Sequence, residues 1–122
     1  MTTHTSRRYT LRLTAELEEL IEARRVELAR RPTHMIQNAD TVTTVYAIRQ
    51  LIGEAVERLQ LSTKDSSIEP PELTPITGAT TRTTALYIPR SLEGHLELVA
   101  EHAGLSSTHA TLRALIVAGS RL

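Results

Sequence analysis

Arg8-Tyr9-Thr10-Leu11-Arg12-Leu13 alternates strictly between polar and apolar residues, the period of a β-strand with one buried face. Tyr9, Leu11 and Leu13 fall on one side, and Arg8, Thr10 and Arg12 on the other. One strand of this length leaves its backbone donors and acceptors unpaired along both edges, so it needs a partner. The same chain offers one in Thr83-Thr84-Ala85-Leu86-Tyr87-Ile88. Each stretch runs straight into a helix-start signal. Thr14 is placed to cap a helix after the first; Pro89 opens the segment after the second, with Ser91 available as its cap.

Four helices are expected behind these strands. Leu17, Leu20, Ile21 and Leu28 keep helical spacing, Glu16, Glu18 and Glu19 suit the positive end of a helix, and Arg30-Arg31-Pro32 reads as its stop. Residues 32–41 are polar and irregular. A second helix from about Thr43 to Leu59 would bury Val45, Ile48, Leu51, Ile52, Ala55, Val56 and Leu59. Gly53 inside it costs about 1 kcal/mol in propensity, and a close helix–helix crossing would explain its presence. Residues 60–81, rich in Ser, Thr and Pro, read as a linker that hardly restricts how the flanking parts meet. A third helix carries the stripe Leu92, Leu96, Val99 and Ala103 and ends at Gly104. The last, capped by Ser106 or Ser107, would bury Leu112, Leu115, Ile116 and Ala118.

The halves also match in sequence. Residues 39–52 align without gaps on 103–116 at an offset of 64, as from Ile48 to Leu112. The strands align at an offset of 75, as from Leu13 to Ile88. The mismatch implies an insertion over Arg30 to Gln37 in the first half. Two strand–helix–helix units, 7–59 and 82–122, then make an internal duplication.

Composition narrows the function classes. The 122 residues suit one domain, and 40% apolar content suffices for a core. With no Phe or Trp, that core must come from Leu, Ile, Val and Ala. No apolar run approaches the roughly 20 residues of a membrane span, and the N-terminus lacks the apolar stretch of a signal peptide. There is no Cys, hence no disulfide framework or thiolate metal site. A cytoplasmic location is the expectation. Net charge is zero, which by itself argues against nucleic acid, but the charges are unevenly spread. Residues 1–15 hold Arg7, Arg8 and Arg12 and no acid; residues 79–92 hold Arg82 and Arg90 and no acid. Pairing the strands is expected to gather these five arginines on one surface.

Strand, helix, turn and helix in this order resemble the ribbon-helix-helix DNA-binding fold of the Arc and MetJ repressors. Ile88-Pro89 and Gly104-Leu105-Ser106 of the second unit carry the resemblance best. The first unit departs from it with Thr14 in the place of the Pro, Asp40 in the place of the Gly, and the insertion. In that family two copies intertwine, because one copy cannot bury its own apolar faces. The resemblance therefore implies a mainly α fold with a two-stranded antiparallel β-ribbon, a tandem ribbon-helix-helix forming a single-chain pseudo-dimer.

An antiparallel ribbon fits the major groove of double-stranded DNA, where its outward side chains meet base edges. By the alternation these are Arg8, Thr10 and Arg12 with Thr83, Ala85 and Tyr87. Arginine can grip guanine O6 and N7 with two hydrogen bonds, worth about 1–3 kcal/mol of discrimination. The plain alternative is the solvated face of an edge strand. Because the second strand is poorer in donors, an asymmetric site is expected, read mostly by the first. Helix N-termini bind phosphate through free backbone N–H groups, and the resemblance assigns that job to Thr43, Thr44, Ser107 and Thr108, which would otherwise be ordinary caps. Arg7, Arg82 and Arg90 would add contacts to the backbone. The expected role is a transcriptional repressor or a plasmid-transfer accessory factor, with self-association on DNA left open; the rival is a protein-interaction module such as an antitoxin. Neither cofactor nor metal is expected, since His95 and His102 have no ligand partners at suitable spacing. Ser106-Ser107 lies in no Gly-x-Ser-x-Gly elbow, and no catalytic set is evident.

Overall fold

The computed structural model describes residues 6–30 and 43–122. Its elements run β1 (Ser6–Leu13), α1 (Ala15–Arg30), α2 (Thr44–Lys64), β2 (Arg82–Pro89), α3 (Arg90–Ala103) and α4 (Thr108–Ser120). The insertion expected over 30–37 and the irregular stretch over 32–41 lie, apart from Arg30, outside the described residues. Over the described residues the protein is mainly helical with one two-stranded sheet.

β1 and β2 pair antiparallel, with Arg8 opposite Tyr87, Thr10 opposite Ala85, and Arg12 opposite Thr83. The other register positions turn inward: Leu11, Leu13, Leu86 and Ile88 are buried and Tyr9 is half-buried. The ribbon therefore has the one apolar face that its alternation requires.

Four helices cover that face. Thr14 caps α1, its Oγ1 accepting from the Leu17 N–H at 3.3 Å, and Leu17, Ile21 and Leu28 are buried along one stripe. Arg24 interrupts the stripe, and its guanidinium donates to Glu54 of α2 at 2.5 Å. α4 is the central helix: from Thr111 to Gly119 only Arg113 escapes burial. The one buried polar residue in that run, Thr111, donates its hydroxyl to the Ser107 carbonyl at 2.9 Å. Gly104 ends α3 with φ of 72°, and the Leu105 N–H reaches back to the Ala100 carbonyl at 2.8 Å. That left-handed cap and its return hydrogen bond favour glycine.

Four expectations need correction. Gly53 is exposed and nothing lies within 4 Å of where its Cβ would sit. The close crossing is at Gly119, where a Cβ would fall 2.1 Å from the Leu51 carbonyl oxygen of α2. α2 extends past Leu59 to Lys64, so the connecting segment starts later, and it is no free tether. Leu73 and Ile76 pack against the core, and the Thr81 N–H donates to the Leu13 carbonyl at 2.8 Å. Ser91 does not cap α3; Pro89 holds that position without a side-chain hydrogen bond. Ala103 is exposed, and Ala100 is buried in its stead. Among the described residues no helix is long and apolar enough to cross a membrane.

Candidate nucleic-acid interface

The outward side of the ribbon is a narrow strip of six side chains. Arg8, Thr10, Arg12 and Thr83 are exposed, Ala85 is half-buried, and Tyr87 is 49% exposed. Neither strand carries an acid, and among the described residues Arg8 and Arg12 form no ion pair. Opposite pairs on one face of an antiparallel ladder lie about 4.5–5.5 Å apart at Cβ. The strip is thus a compact array of two guanidiniums, two hydroxyls, a methyl group and a phenol.

The five arginines do not share this face. Arg7 and Arg82 occupy inward register positions at opposite ends of the ribbon, across from Ile88 and Leu13. Arg7 donates to the Glu93 carboxylate of α3 at 3.3 Å and stacks over the Tyr9 ring, 5.5 Å from its centroid. The Tyr9 hydroxyl donates to the same oxygen at 2.5 Å. That hydrogen bond, aided by the charges of Arg7 and Arg90, holds the Glu93 carboxyl below its usual range. Burial and the bond to Glu93 push the Tyr9 phenol up. Arg7 and Arg90 therefore face an internal acid. Arg82 is exposed and shares a shallow cleft with Glu18 and Glu22.

The two helix starts flanking the ribbon are built alike. Thr43 Oγ1 accepts from the Tyr46 N–H at 3.1 Å, and Ser107 Oγ accepts from the Ala110 N–H at 3.1 Å. Capping satisfies one amide of the first turn and leaves others free for water or an anion. Thr44 and Thr108 are the first helical residues, and the Thr108 hydroxyl interacts with Tyr9.

Sequence reasoning missed three residues here. His109 Nε2 accepts the Arg12 backbone N–H at 3.1 Å. Arg49 of α2 donates to the Tyr87 carbonyl at 3.3 Å. Arg113, one turn beyond His109, has a buried Nε with no hydrogen-bond partner. The available signal was the i, i+4 spacing of His109 and Arg113, which sets them on one helix face. Nothing in that spacing said the face would meet β1.

No family model, curated protein or solved structure matches this chain. The site is therefore read from its own chemistry.

A separate groove of about 450 Å³ lies between the C-terminal half of α2, residues 70–73 and α3, lined by Val56, Leu59, Leu73, Leu98 and Val99 with His95 and His102 at its edge.

Proposed function

We propose that the protein binds double-stranded DNA in a sequence-specific manner, laying the β1–β2 ribbon in the major groove, and that its two halves act as a single-chain pseudo-dimer of ribbon-helix-helix units. The register carries the reading. Under the offset of 75, Arg8, Thr10 and Arg12 correspond to Thr83, Ala85 and Tyr87. A two-fold axis relating the halves requires that if Arg8 faces Tyr87, then Arg12 faces Thr83, and that Thr10 faces its own counterpart Ala85. Those are the pairs in the ladder. Three pairs under the offset of 64 share full burial: Ile48 with Leu112, Leu51 with Leu115, and Ala47 with Thr111. The caps Thr43 and Ser107 correspond as well.

A two-fold ribbon with an acid-free outer face is complementary to two adjacent half-sites of a duplex. Arg8 and Arg12 supply bidentate donors to guanine, Thr10 and Thr83 bond or touch bases, and Ala85 and Tyr87 add apolar cover. The first strand reads more than the second, so the preferred site is asymmetric. The biological role fitting this activity is transcriptional repression or an accessory function in plasmid transfer.

Titration of labelled random duplex at two salt concentrations tests the reading. Wild type should bind with an affinity that falls steeply with salt, and Arg8→Ala/Arg12→Ala should lose at least about tenfold, at roughly 1–3 kcal/mol per base-reading arginine. Unchanged affinity in the double variant would remove the ribbon as the reader. The groove beside Leu98, which is 66% exposed, favours a protein-interaction module as the second reading, and absence of any duplex binding would promote it.

A further inference from the structure

We infer that the groove between α2 and α3 binds one small, uncharged and mainly apolar molecule, aromatic or alicyclic in build, with a carbonyl or hydroxyl at its edge. The inference uses the repeat and the groove alone and stands apart from the DNA-binding reading.

The repeat accounts for the groove being open. A two-fold relation between the halves exchanges α1 with α3 and α2 with α4, so the α1–α4 contact corresponds to the α3–α2 one. α1 packs against α4, whereas α3 packs on α4 and β2 and stands off α2 across the groove. The offset of 75 that aligns the strands carries on into these helices, where Leu17 and Ile21 correspond to Leu92 and Leu96. One turn later the helices diverge. Leu28, 1% exposed, has as its counterpart Ala103, which is exposed in the groove wall. α3 thus lacks the bulk that α1 brings to its last turn, and Leu98 stands exposed beside the gap. The third wall, residues 70–73, is no loose flap. Leu73 and Ile76 pack against the core and the Thr81 N–H is held by the Leu13 carbonyl, so the site is largely pre-formed.

The lining sets the chemistry of the occupant. No Asp, Glu, Lys or Arg contributes to it, and Val99 stands where α1 has Arg24. A charged ligand would be desolvated there without a counter-ion. The Ser62 and Thr63 hydroxyls already donate to the Leu59 and Gln60 carbonyls, which leaves Gln60, His95 and His102 as the polar groups able to donate to a ligand. About 450 Å³ of mainly apolar space with a few such groups matches a small-molecule pocket. The groove runs along Val56 to Thr63 and His95 to Ala103, roughly 10–12 Å or two helical turns. That is a small fraction of the roughly 800 Å² per partner that a stable protein dimer buries, so a second copy is not the occupant.

Titration of the full chain with N-phenylnaphthylamine, a neutral probe that fluoresces in apolar surroundings, tests the site. Wild type should show saturable binding of one probe per chain and a melting temperature that rises with probe concentration. Leu98→Glu, which puts a charge on the rim, and Ala103→Trp, which fills the gap, should each weaken binding by about tenfold or more. Both positions are exposed, so the circular dichroism melts without probe should stay close to wild type. Glu97→Gln, on α3 but outside the groove, should bind as wild type does. The sulfonated analogue of the probe, anilinonaphthalene sulfonate, should bind at least about tenfold more weakly. Absence of saturable binding by wild type, or binding undiminished in both groove variants, overturns the site. Equal affinity for the sulfonate overturns the uncharged class of ligand. A wild-type dimer in sedimentation equilibrium that Leu98→Glu takes apart would make a second copy the occupant and overturn the proposal. Each of these results leaves the test of duplex binding untouched.

Discussion

His109 is held neutral by its surroundings, and that has a sign. Its pKa in the folded protein lies below the ordinary histidine value because burial and two neighbouring arginines disfavour the imidazolium. The unfolded chain, with an ordinary imidazole near 6.5, therefore binds the proton first as pH falls. The stability that neutral His109 contributes is complete above about pH 6.5 and is lost progressively as the pH drops toward the lower folded value. His109→Gln keeps an acceptor for the Arg12 N–H and removes the titration. Its melting temperature should fall less than that of wild type between pH 7 and pH 5.5, as followed by circular dichroism; parallel curves would refute this. Glu93 carries the same sign in a lower range. The Tyr9 hydroxyl depresses its folded pKa, so its contribution is full above about 4.5 and is lost in acid. Tyr9→Phe should make the acid limb of stability shallower, because Glu93 then titrates closer to its unfolded value.

At the level of elements, two glycines separate conformational propensity from packing. Gly119 lies where α4 crosses α2, and the atom its Cβ would strike is the Leu51 carbonyl, which belongs to backbone and cannot rotate aside. Gly119→Ala should destabilise the protein by about 1–3 kcal/mol or more, the cost of overpacking a tight interface. Gly53→Ala meets open space on an exposed helix face and should stabilise by about 0.4–1 kcal/mol. Urea midpoints for the two variants should move in opposite directions. A glycine inside a helical pattern signals that something approaches or that nothing matters there, and periodicity alone does not tell which. Both strands, the caps at Thr14, Thr43 and Ser107, and the end at Gly104 were legible because each depends on local residues. The final turns of α2 were not, since Ser62 and Thr63 read as breakers. Within the helix their hydroxyls bond back to the Leu59 and Gln60 carbonyls at 2.8 Å and 2.7 Å, which makes them compatible with its last turns. The Pro-rich composition of the connecting segment likewise concealed the anchoring of Leu73, Ile76 and Thr81. On the ribbon, alternation gave the outward face, whereas the ties of Arg7 to Glu93 and Arg12 to His109 depend on contacts 86 and 97 residues apart in sequence.

For the whole molecule, the decisive contacts all run between the two ends of the chain. Among the described residues β1 has no strand partner except β2, and α2 packs along α4 with the backbones nearly touching at Gly119. A fragment of residues 1–64 would expose Leu11, Leu13, Ile48 and Leu51, all fully buried in the intact protein; a fragment of 65–122 would expose Leu86, Leu112, Leu115 and Ile116. Full burial of such side chains is worth about 1.5–3 kcal/mol each, and a domain's net stability is only about 5–15 kcal/mol. Neither fragment should therefore fold alone. Mixed together, they regain the same ladder and helix crossing, with the anchors at Leu73, Ile76 and Thr81 carried by the second fragment, and lose the covalent link that makes the association intramolecular. The mixture should recover the helical circular dichroism of the intact chain with a melting temperature that rises with protein concentration, and Gly119→Ala in the second fragment should weaken the association. Cooperative unfolding of either fragment by itself would show that one half is self-sufficient. That result would undercut the pseudo-dimer, because the outward face of the ribbon exists as a two-stranded surface only when residues 8–12 and 83–87 lie side by side.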